Sequence, residues 1–354
     1  MNCPYMRPMK SKDDMIVFAR EALGLSESVS IELSSLEGRG SDRTFFRLKW
    51  NYNDSAILIH YDPKRLENTY YADIAKFLHD IDVSIPRMIR HDPADCLIVM
   101  EDLGDTDLWS LRETPWETRR ALYQKTLDII HRLHCFPEKD FPSSHVKLME
   151  GFGHDLYRWE RNYFRDHFVK DVCGIKLEPS FERELEEELS NLAEKLLKTK
   201  CCLMHRDLQS QNVMIRGGEP FLIDFQGMRF GSPFYDLGSL LCDPYVYPEP
   251  KAERVNFSEN DRDELLSFYY GLSKWDIDWA TFQNTFWEAS AQRLMQALGA
   301  YGFLGLKKGL KAFLKHIPAG LHNLLRAASH VASLTRLKEL SLSCQSVIEQ
   351  KELG

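Results

Sequence analysis

Residues 205–212 read HRDLQSQN, and an apolar segment further along the chain ends at Asp224. This order, H-R-D-x-x-x-x-N followed by an aspartate after an apolar strand, is typical of the catalytic and metal-binding loops that transfer phosphoryl groups. A hydroxyl that attacks the γ-phosphate of ATP needs a proton acceptor and a fixed direction of approach, and Asp207 would supply both. Asn212 and Asp224 carry the oxygen ligands that Mg²⁺ prefers, so the pattern predicts ATP and Mg²⁺ as cofactors.

The segment between Asn212 and Asp224 predicts how these two side chains meet. Residues 213–215 are apolar, residues 216–220 read RGGEP, and a second apolar run leads to Asp224. Gly-Gly is a turn signal for a β-hairpin, so we expect two short paired strands that bring Asn212 and Asp224 together. The alternative is an ordinary polar loop that precedes a β-hairpin.

The composition is typical of a globular protein. With 354 residues, 44% of them hydrophobic and 28% charged, the chain can form two lobes with substantial cores. A net charge of −8 argues against a nucleic-acid partner, which would need a basic face. Residues 1–14 lack the apolar core of a signal peptide, and no apolar run reaches the roughly 18 residues of a membrane span. The lack of such a run predicts no membrane partner. The eight cysteines form no C-x-x-C pair, so we expect reduced thiols and a cytoplasmic location.

The order of elements predicts an α+β fold with two lobes. Amphipathic helices are predicted at 13–24 and 66–79, and strands at 31–33, 45–50, 56–61 and 96–100. Beyond this part the pattern is helical apart from the hairpin, with helices at 118–134 and 178–200. We therefore predict a small β-rich N-lobe over 1–102, a helical C-lobe over 103–354 that carries the catalytic loop and the acceptor site, and a hinge at about 101–106.

Two segments of the N-lobe are candidates for nucleotide binding. Residues 37–44 read EGRGSDRT between two strands, and glycines with small polar residues can place backbone N–H groups over phosphates, although a plain β-hairpin would look the same. Strand 96–100 runs into a linker containing glycine, where an adenine would bond to the backbone. The candidate residues are Gly40, Ser41, Asp42, Arg43, Thr44, Met100, Glu101 and Leu103.

The acceptor site is predicted near the segment 155–168, which mixes aromatic with charged residues. Sugars are commonly held by aromatic faces and directional polar groups. The alternative is that Trp159 and Phe164 belong to the core and that the arginines are solvent-exposed. Interleaved arginines suit a neutral or anionic sugar better than a polycationic aminoglycoside. The candidate substrate-binding residues are Arg158, Glu160, Arg206, Gln209 and Gln226.

Taken in order, these motifs resemble the aminoglycoside phosphotransferase family, small-molecule kinases with a protein-kinase-like fold. The resemblance rests on residues 100–104 (MEDLG), 205–207, Asp224 and 235–241 (YDLGSLL). A protein kinase proper fits less well, because Gln226 stands where its metal loop has glycine and no A-P-E segment follows. Within the family, residues 205–212, 222–231, 235–246 and 292–299 are similar to bacterial anomeric kinases of N-acetylmuramate and N-acetylglucosamine.

The resemblance implies a role for each motif. Asp207 would be the catalytic base, Asn212 and Asp224 the metal ligands, and Asp236 with His205 a structural brace for the loop. The acceptor would be a small molecule such as a sugar, and a separate nucleotidyltransferase would use the product. Other acceptors, such as an aminoglycoside, choline or homoserine, remain alternatives, as does a nucleotide-binding pseudokinase without transfer.

One departure from the protein-kinase pattern concerns the third strand. Protein kinases place a lysine there to hold the α- and β-phosphates, whereas residues 56–61 (AILIHY) contain none. The anomeric sugar kinases are similar in lacking it. Arg43 or Lys64 could substitute electrostatically, and the alternative is that both are surface charges.

Overall fold

The computed structural model describes residues 11–36, 43–246 and 258–352. The chain forms two compact units, the first reaching Gly104 and including Ser144–Lys147, and the second comprising Asp105–Ser143 and the chain from Leu148 onward. The boundary after Gly104 lies within the range predicted for a hinge, and the function of this segment as a hinge stays a prediction. The first unit is rich in strands and the second in helices, as expected from the sequence.

The first unit contains a five-stranded antiparallel sheet in the order β1-β2-β3-β5-β4. Its strands are β1 (Glu32–Leu36), β2 (Thr44–Lys49), β3 (Ser55–His60), β4 (Met88–Asp92) and β5 (Leu97–Glu101), and its helices are α1 (Lys12–Leu23) and α2 (Leu66–Asp80). Alternate residues of β2, Phe46 and Leu48, pack with Met15 and Ala19 of α1 in one core. The predicted strands and helices of this unit are therefore present, with ends shifted by one to three residues.

Helix α1 shows why the sequence marks its ends clearly. The Ser11 hydroxyl accepts a hydrogen bond from the Asp14 N–H, and the Asp14 carboxylate accepts one from the Ser11 N–H. This capping box satisfies two backbone donors that the helix itself leaves without a partner. At the other end, Gly24 adopts φ 64°, a left-handed conformation that favours glycine and ends the helix.

The second unit is built mainly from helices. They are α3 (Trp116–Cys135), α4 (His154–Phe164, continued by a π-helical turn over Arg165–Lys170), α5 (Pro179–Leu197), α6 (Pro233–Leu241), α7 (Glu259–Gly271), α8 (Trp279–Gly302), α9 (Ile317–His330) and α10 (Thr335–Glu352). Helix α8 is buried along most of its length. Helix α6 packs tightly against it, since a Cβ atom on Gly238 would lie 2.9 Å from the Ser290 Cα. This close approach holds α6 in a fixed position behind the catalytic loop.

Two small antiparallel ribbons of the second unit carry that loop. Strands β6 (Cys202–Met204) and β9 (Arg229–Gly231) form one ribbon, and β7 (Val213–Arg216) and β8 (Glu219–Leu222) form the other. Gly217 and Gly218 both have positive φ, 60° and 79°, as a two-residue hairpin turn requires. The predicted hairpin is therefore confirmed. No helix in the described part of the chain combines the length and apolar character needed to span a bilayer.

Candidate active site

The catalytic loop is anchored to the core of the second unit by the buried carboxylate of Asp236. Its Oδ2 accepts a hydrogen bond from the His205 N–H and its Oδ1 one from the Arg206 N–H, both at 2.7 Å. The imidazole of His134 adds a third contact, with Nε2 3.1 Å from Asp236 Oδ2. His205 in turn donates from Nε2 to the Ile223 carbonyl at 3.0 Å, which links the loop to the segment that carries Asp224.

A second buried carboxylate, Asp243, holds the far end of the loop. Its Oδ2 accepts hydrogen bonds from the Ser210 N–H at 2.7 Å and from the Ser210 hydroxyl at 2.6 Å. Burial raises the pKa of Asp243, and the hydrogen bonds from Ser210 and Tyr245 oppose that rise. Asp236 and Asp243 thus anchor the two ends of the backbone segment that carries Asp207.

Two residues of the site have left-handed backbone conformations that are rare for residues other than glycine. Arg206 has φ 78° and Asp224 has φ 64°. Each such residue costs roughly 1–3 kcal/mol and persists only where the surrounding contacts hold it in place. The hydrogen bonds made by Asp236 and His205 are such contacts, and the strain falls on the residues that flank the proposed chemistry.

Asp207 lies between two guanidinium groups. The Arg206 Nη1 is 2.9 Å from its Oδ2 and the Arg293 Nη2 is 3.5 Å from its Oδ1. Burial acts to raise the pKa of Asp207, but Arg206 and then Arg293 outweigh it and lower the pKa below its usual value. The side chain is still 26% exposed, so an acceptor hydroxyl could reach it.

The hairpin brings the segments that carry Asn212 and Asp224 together, as predicted, and Asn212 also contacts Asp207. The Asn212 amide donates to the Asp207 carbonyl at 2.8 Å, and the Ile223 N–H donates to the Asn212 carbonyl at 3.0 Å. The Gln226 amide donates to Asp224 Oδ1 at 3.0 Å. The chain then returns to Asp207, since a Cβ atom on Gly227 would lie 3.8 Å from Asp207 Oδ2.

A buried network supports the arginines behind Asp207. The fully buried Glu160 accepts hydrogen bonds from the Tyr235 hydroxyl at 2.8 Å and from the Gln292 amide at 2.9 Å. Burial raises the pKa of Glu160, and the charge of Arg206 opposes that rise. Arg229 is also buried and donates to the Gly227 carbonyl at 3.0 Å. The site therefore combines three guanidinium groups, those of Arg206, Arg229 and Arg293, with the carboxylates of Asp207, Glu160 and Asp224.

Comparison with known proteins identifies the family to which this chain belongs. Residues 32–272 match the model of the phosphotransferase enzyme family APH. The chain belongs to this family. Its members are phosphotransferases that act on small-molecule alcohols, so this protein is a small-molecule kinase, and the predicted resemblance is confirmed.

Curated relatives and solved structures of this phosphotransferase family agree with the assignment. The chain is 23% identical to an N-acetylmuramate/N-acetylglucosamine kinase of Neisseria meningitidis serogroup B over 84% of this chain and 86% of the relative. It is also 23% identical to the Pseudomonas aeruginosa kinase of that name over 91% of each. The structure of the ADP-bound aminoglycoside phosphotransferase APH(2'')-Ib is 15% identical, with a TM-score of 0.57. The aligned region covers 91% of this chain and 100% of that structure's chain. The structure of a choline/ethanolamine kinase family protein of Mesorhizobium loti is 16% identical, with a TM-score of 0.59. The aligned region covers 94% of this chain and 99% of that structure's chain. The α+β, protein-kinase-like fold class is thereby confirmed.

The phosphotransferase site brings together most of the predicted acceptor residues. Arg206, Glu160 and Gln226 all belong to the network around Asp207, although Gln226 is buried and bonded to Asp224. Gln209 is half-buried in the same loop, with its N–H donating to the Asp207 carbonyl. Arg158 differs, because it is exposed and pairs with Asp155 at 3.2 Å, and no contact among the described residues joins it to Asp207.

Helix α4, which carries Glu160, matches neither of the two expectations for the segment 155–168, because its aromatic and charged residues are each divided between buried and exposed positions. Phe164 is buried, but Trp159 is 49% exposed and stacks on Tyr163 with ring centroids 4.8 Å apart. Arg161 is buried and pairs with Glu186 at 2.6 Å, so it is not a solvent-exposed charge. Helical periodicity explains the result, since Glu160 and Phe164 are four residues apart and share one face.

The predicted nucleotide-binding residues lie in the first unit. Gly40, Ser41 and Asp42 are outside the described residues. Arg43 is buried, with its guanidinium carbon 5.4 Å from the Phe45 ring centroid, and Thr44 begins β2. Met100 and Glu101 end β5, and Leu103 is buried beyond them. The contact of these residues with a nucleotide stays a prediction. Lys64, the other candidate to replace the missing strand lysine, is exposed.

The sequence assigned no role to one ion pair that orders the linker after β5. The Arg47 Nε lies 2.7 Å from Asp102 Oδ2, and Arg47 also donates to the Gly104 carbonyl at 3.2 Å. Burial acts to raise the pKa of Asp102, but hydrogen bonds from Gly104, Ser55 and Arg47 lower it. A lone arginine in a strand carries no signal of this partner, because Asp102 is distant in sequence.

The sequence also assigned no role to four residues that support Asp207: His134, Arg229, Gln292 and Arg293. Gln292 and Arg293 are the clearest missed signal, since they interrupt a largely apolar helix and both are buried. Charged side chains are rarely buried unless they have a partner. Their partners, Glu160 and Asp207, lie on other elements, so the sequence alone could not identify them.

The donor set next to Asp207 fits a divalent cation. Because the Asn212 amide nitrogen is bonded to the Asp207 carbonyl, the Asn212 Oδ1 is the atom of this side chain that could bind a metal ion. Among the described residues, no three His, Cys, Asp or Glu side chains cluster as a metal site. Oxygens from Asn212 and Asp224 would suit Mg²⁺, which usually takes one or two protein oxygens and completes its shell with phosphate oxygens and water.

The ion pair with Arg293 predicts a shift in the pH dependence of activity. Replacing Arg293 by glutamine removes a charge that lowers the pKa of Asp207, so that pKa should rise. Asp207 would then be protonated at a higher pH, and the acid limb of kcat/KM should move to higher pH. The measurement is the pH profile of both enzymes, with the exposed Arg158→Gln as the matched control. An unmoved limb in Arg293→Gln would show that Asp207 does not set it.

Proposed function

We propose that this phosphotransferase transfers the γ-phosphate of ATP, with Mg²⁺, to the anomeric hydroxyl of N-acetylmuramate or N-acetylglucosamine. The observation that carries the proposal is the carboxylate of Asp207, held between Arg206 and Arg293 beside Asn212 and Asp224. The printed names of the Neisseria and Pseudomonas relatives, which match most of the chain, support the same acceptors.

The chemistry of the acceptor hydroxyl fits the electrostatics of the base. Two arginines lower the pKa of Asp207, which makes it a weak proton acceptor. An anomeric hydroxyl is more acidic than an ordinary alcohol, because the ring oxygen withdraws electron density from the same carbon. A weak base therefore suffices, and Asp207 acts mainly by accepting the hydroxyl's hydrogen bond and directing its oxygen toward the phosphorus.

The charge around Asp207 favours a neutral or anionic acceptor. Three guanidinium groups, on Arg206, Arg229 and Arg293, face the carboxylates of Asp207 and Glu160, while the charge of Asp224 would be offset by the metal ion. The two buried guanidinium groups, on Arg229 and Arg293, are only weakly screened by bulk water. A polycationic aminoglycoside would be repelled from this cluster. The carboxylate of N-acetylmuramate would be attracted to it, which supports an N-acetyl sugar over kanamycin-like acceptors.

The metal and nucleotide form the second part of the proposal. Asn212 and Asp224 would hold the divalent cation, which when bound offsets the negative charge of the phosphates. Gln226 would keep Asp224 oriented through its 3.0 Å hydrogen bond. Arg43, Thr44, Met100, Glu101 and Leu103 would contribute to nucleotide binding from the first unit. The product, a sugar 1-phosphate, is the substrate class of a nucleotidyltransferase, which would be a separate protein.

Replacing Asp224 by alanine tests the metal assignment. We expect Mg²⁺-dependent ATP binding, as measured by calorimetry, to be lost, because the substitution removes the only carboxylate of the predicted ligand pair. The exposed Asp140→Ala serves as the matched control and should bind Mg·ATP like the unmodified protein. Unchanged calorimetric binding in Asp224→Ala would exclude Asp224 as a ligand.

The acceptor is tested by ADP release with Mg·ATP. The acceptors are N-acetylmuramate, N-acetylglucosamine, glucose and kanamycin, with the methyl glycoside of N-acetylglucosamine as the blocked control. We expect turnover on the two N-acetyl sugars and none on the methyl glycoside, which lacks a free anomeric hydroxyl. Turnover on the methyl glycoside would contradict the anomeric position, and turnover only on kanamycin would contradict the sugar.

A further inference from the structure

A cavity that does not include Asp207 lies in the helical unit. It has a volume of about 680 Å³, within the range of small-molecule sites, and is lined by the ends of α3, α5, α6, α7 and α8. Phe234, Tyr269 and Trp275 form an aromatic wall, in which Tyr269 and Phe234 are buried. Trp275 is the partly exposed ring of this wall, so the cavity offers its face to a ligand that carries an aromatic ring.

The rest of the lining is basic. Four lysines contribute, against the two carboxylates of Asp276 and Glu288. Lys195 is neutralised by the buried Glu288, 2.8 Å away. Lys198, Lys200 and Lys274 form no ion pair with any described residue, so their charges are available to a ligand. An anionic group bound between them would gain charge-assisted hydrogen bonds.

The cavity wall is also connected to the catalytic loop. His134 lines the cavity, and its ring lies between the Tyr269 hydroxyl, 2.7 Å from Nδ1, and Asp236 Oδ2, 3.1 Å from Nε2. Because a carboxylate only accepts, Nε2 donates to Asp236, and Nδ1 shares a hydrogen bond with the Tyr269 hydroxyl. Asp236 is the residue that holds the His205 and Arg206 amides. Tyr269 and His134 therefore join the cavity to the backbone beside Asp207.

We propose that this cavity binds a small anion carrying a flat apolar group, and that binding orders the catalytic loop through Tyr269, His134 and Asp236. The anion would lie at Lys198, Lys200 and Lys274, and the apolar group against the partly exposed Trp275. The Trp275 ring lies against the buried Tyr269, with ring centroids 5.9 Å apart, so a ligand that packs on Trp275 restricts the motion of the tyrosine and of the imidazole bonded to it. The site is thereby a regulatory one, distinct from the acceptor site.

The first test uses 1-naphthyl phosphate as the probe and the thiol of Cys135 as the reporter. Cys135 lines the cavity and is exposed, whereas Cys201 is exposed and does not line it. Iodoacetamide labelling, quantified by peptide mass spectrometry, should slow at Cys135 and not at Cys201. At a probe concentration about ten times Kd the slowing should be about tenfold, because only the free fraction reacts.

Matched variants identify the lysines as the binding groups. The triple variant Lys198→Gln, Lys200→Gln, Lys274→Gln should bind the probe at least about tenfold more weakly, given the strength of charge-assisted hydrogen bonds. The triple variant Lys170→Gln, Lys176→Gln, Lys338→Gln changes net charge equally at exposed positions outside the cavity and should bind normally. No protection of Cys135, or equal binding by both triple variants, overturns the site.

The coupling is tested without turnover, so its outcome does not depend on the proposed acceptor. Hydrogen exchange of the backbone amides of His205 and Arg206 should slow when the probe binds. Tyr269→Phe removes the hydroxyl that contacts His134 but keeps the aromatic wall, so the probe should still protect Cys135 while the exchange no longer responds. Probe binding that leaves exchange unchanged in the unmodified protein, or changes it equally in Tyr269→Phe, overturns the coupling.

Discussion

Replacing Asp207 by asparagine should lower kcat by roughly 10²–10⁴-fold, the usual contribution of a positioned general base. The amide keeps the size of the side chain but cannot accept the proton, and it loses the ion pairs with Arg206 and Arg293. Binding of Mg·ATP should persist, since Asn212 and Asp224 are unchanged. Steady-state kinetics on an active acceptor, combined with calorimetry of Mg·ATP binding, measures both quantities.

The control for this prediction is Asp140→Asn, an exposed aspartate in the same unit, which should keep full activity. Loss of kcat with retained nucleotide binding assigns Asp207 to the transfer step. Near-full activity of Asp207→Asn would show that another group orients the acceptor. Loss of both activity and binding would instead indicate that the substitution disturbs the metal ligands.

Replacing Asp236 by alanine should reduce both stability and turnover. The substitution leaves three buried donors without their acceptor: the His205 N–H, the Arg206 N–H and the His134 Nε2–H. A buried donor without a partner costs roughly 1–3 kcal/mol, so the free energy of unfolding should fall by roughly 3 kcal/mol or more. The urea midpoint should drop, and kcat should fall because the loop conformation around Asp207 is no longer held.

Asp236→Asn provides a graded comparison, since its single amide oxygen can accept some of the same hydrogen bonds. We expect its urea midpoint to lie between those of Asp236→Ala and the unmodified protein. The exposed Asp140→Ala should match the unmodified protein. If Asp236→Ala unfolded at the unmodified midpoint and kept its kcat, the loop would have to be held by Asp243 and the hairpin alone.

The most local features of this protein were the ones that could be predicted from the sequence. The β7-β8 hairpin follows from two glycines between apolar runs, and the capping box and Gly24 mark the ends of α1. The proximity of Asp207, Asn212 and Asp224 follows as well, because one loop and one hairpin carry all three. Interactions over short sequence separations leave a pattern of spacing, and that pattern can be recognised in a single chain.

The environment of Asp207 was decided by the tertiary structure. Arg293 comes from α8, Glu160 from α4 and His134 from α3, and no sequence spacing connects them. The same is true of Arg158, whose neighbours in sequence suggested the acceptor site but whose side chain is exposed. The sequence alone identified the family and the reaction class, and it predicted the roles of Asp207, Asn212 and Asp224. Only the packing of distant helices placed Arg293 beside Asp207 and His134 against Asp236, because burial and ion pairing depend on contacts that the chain makes only when folded.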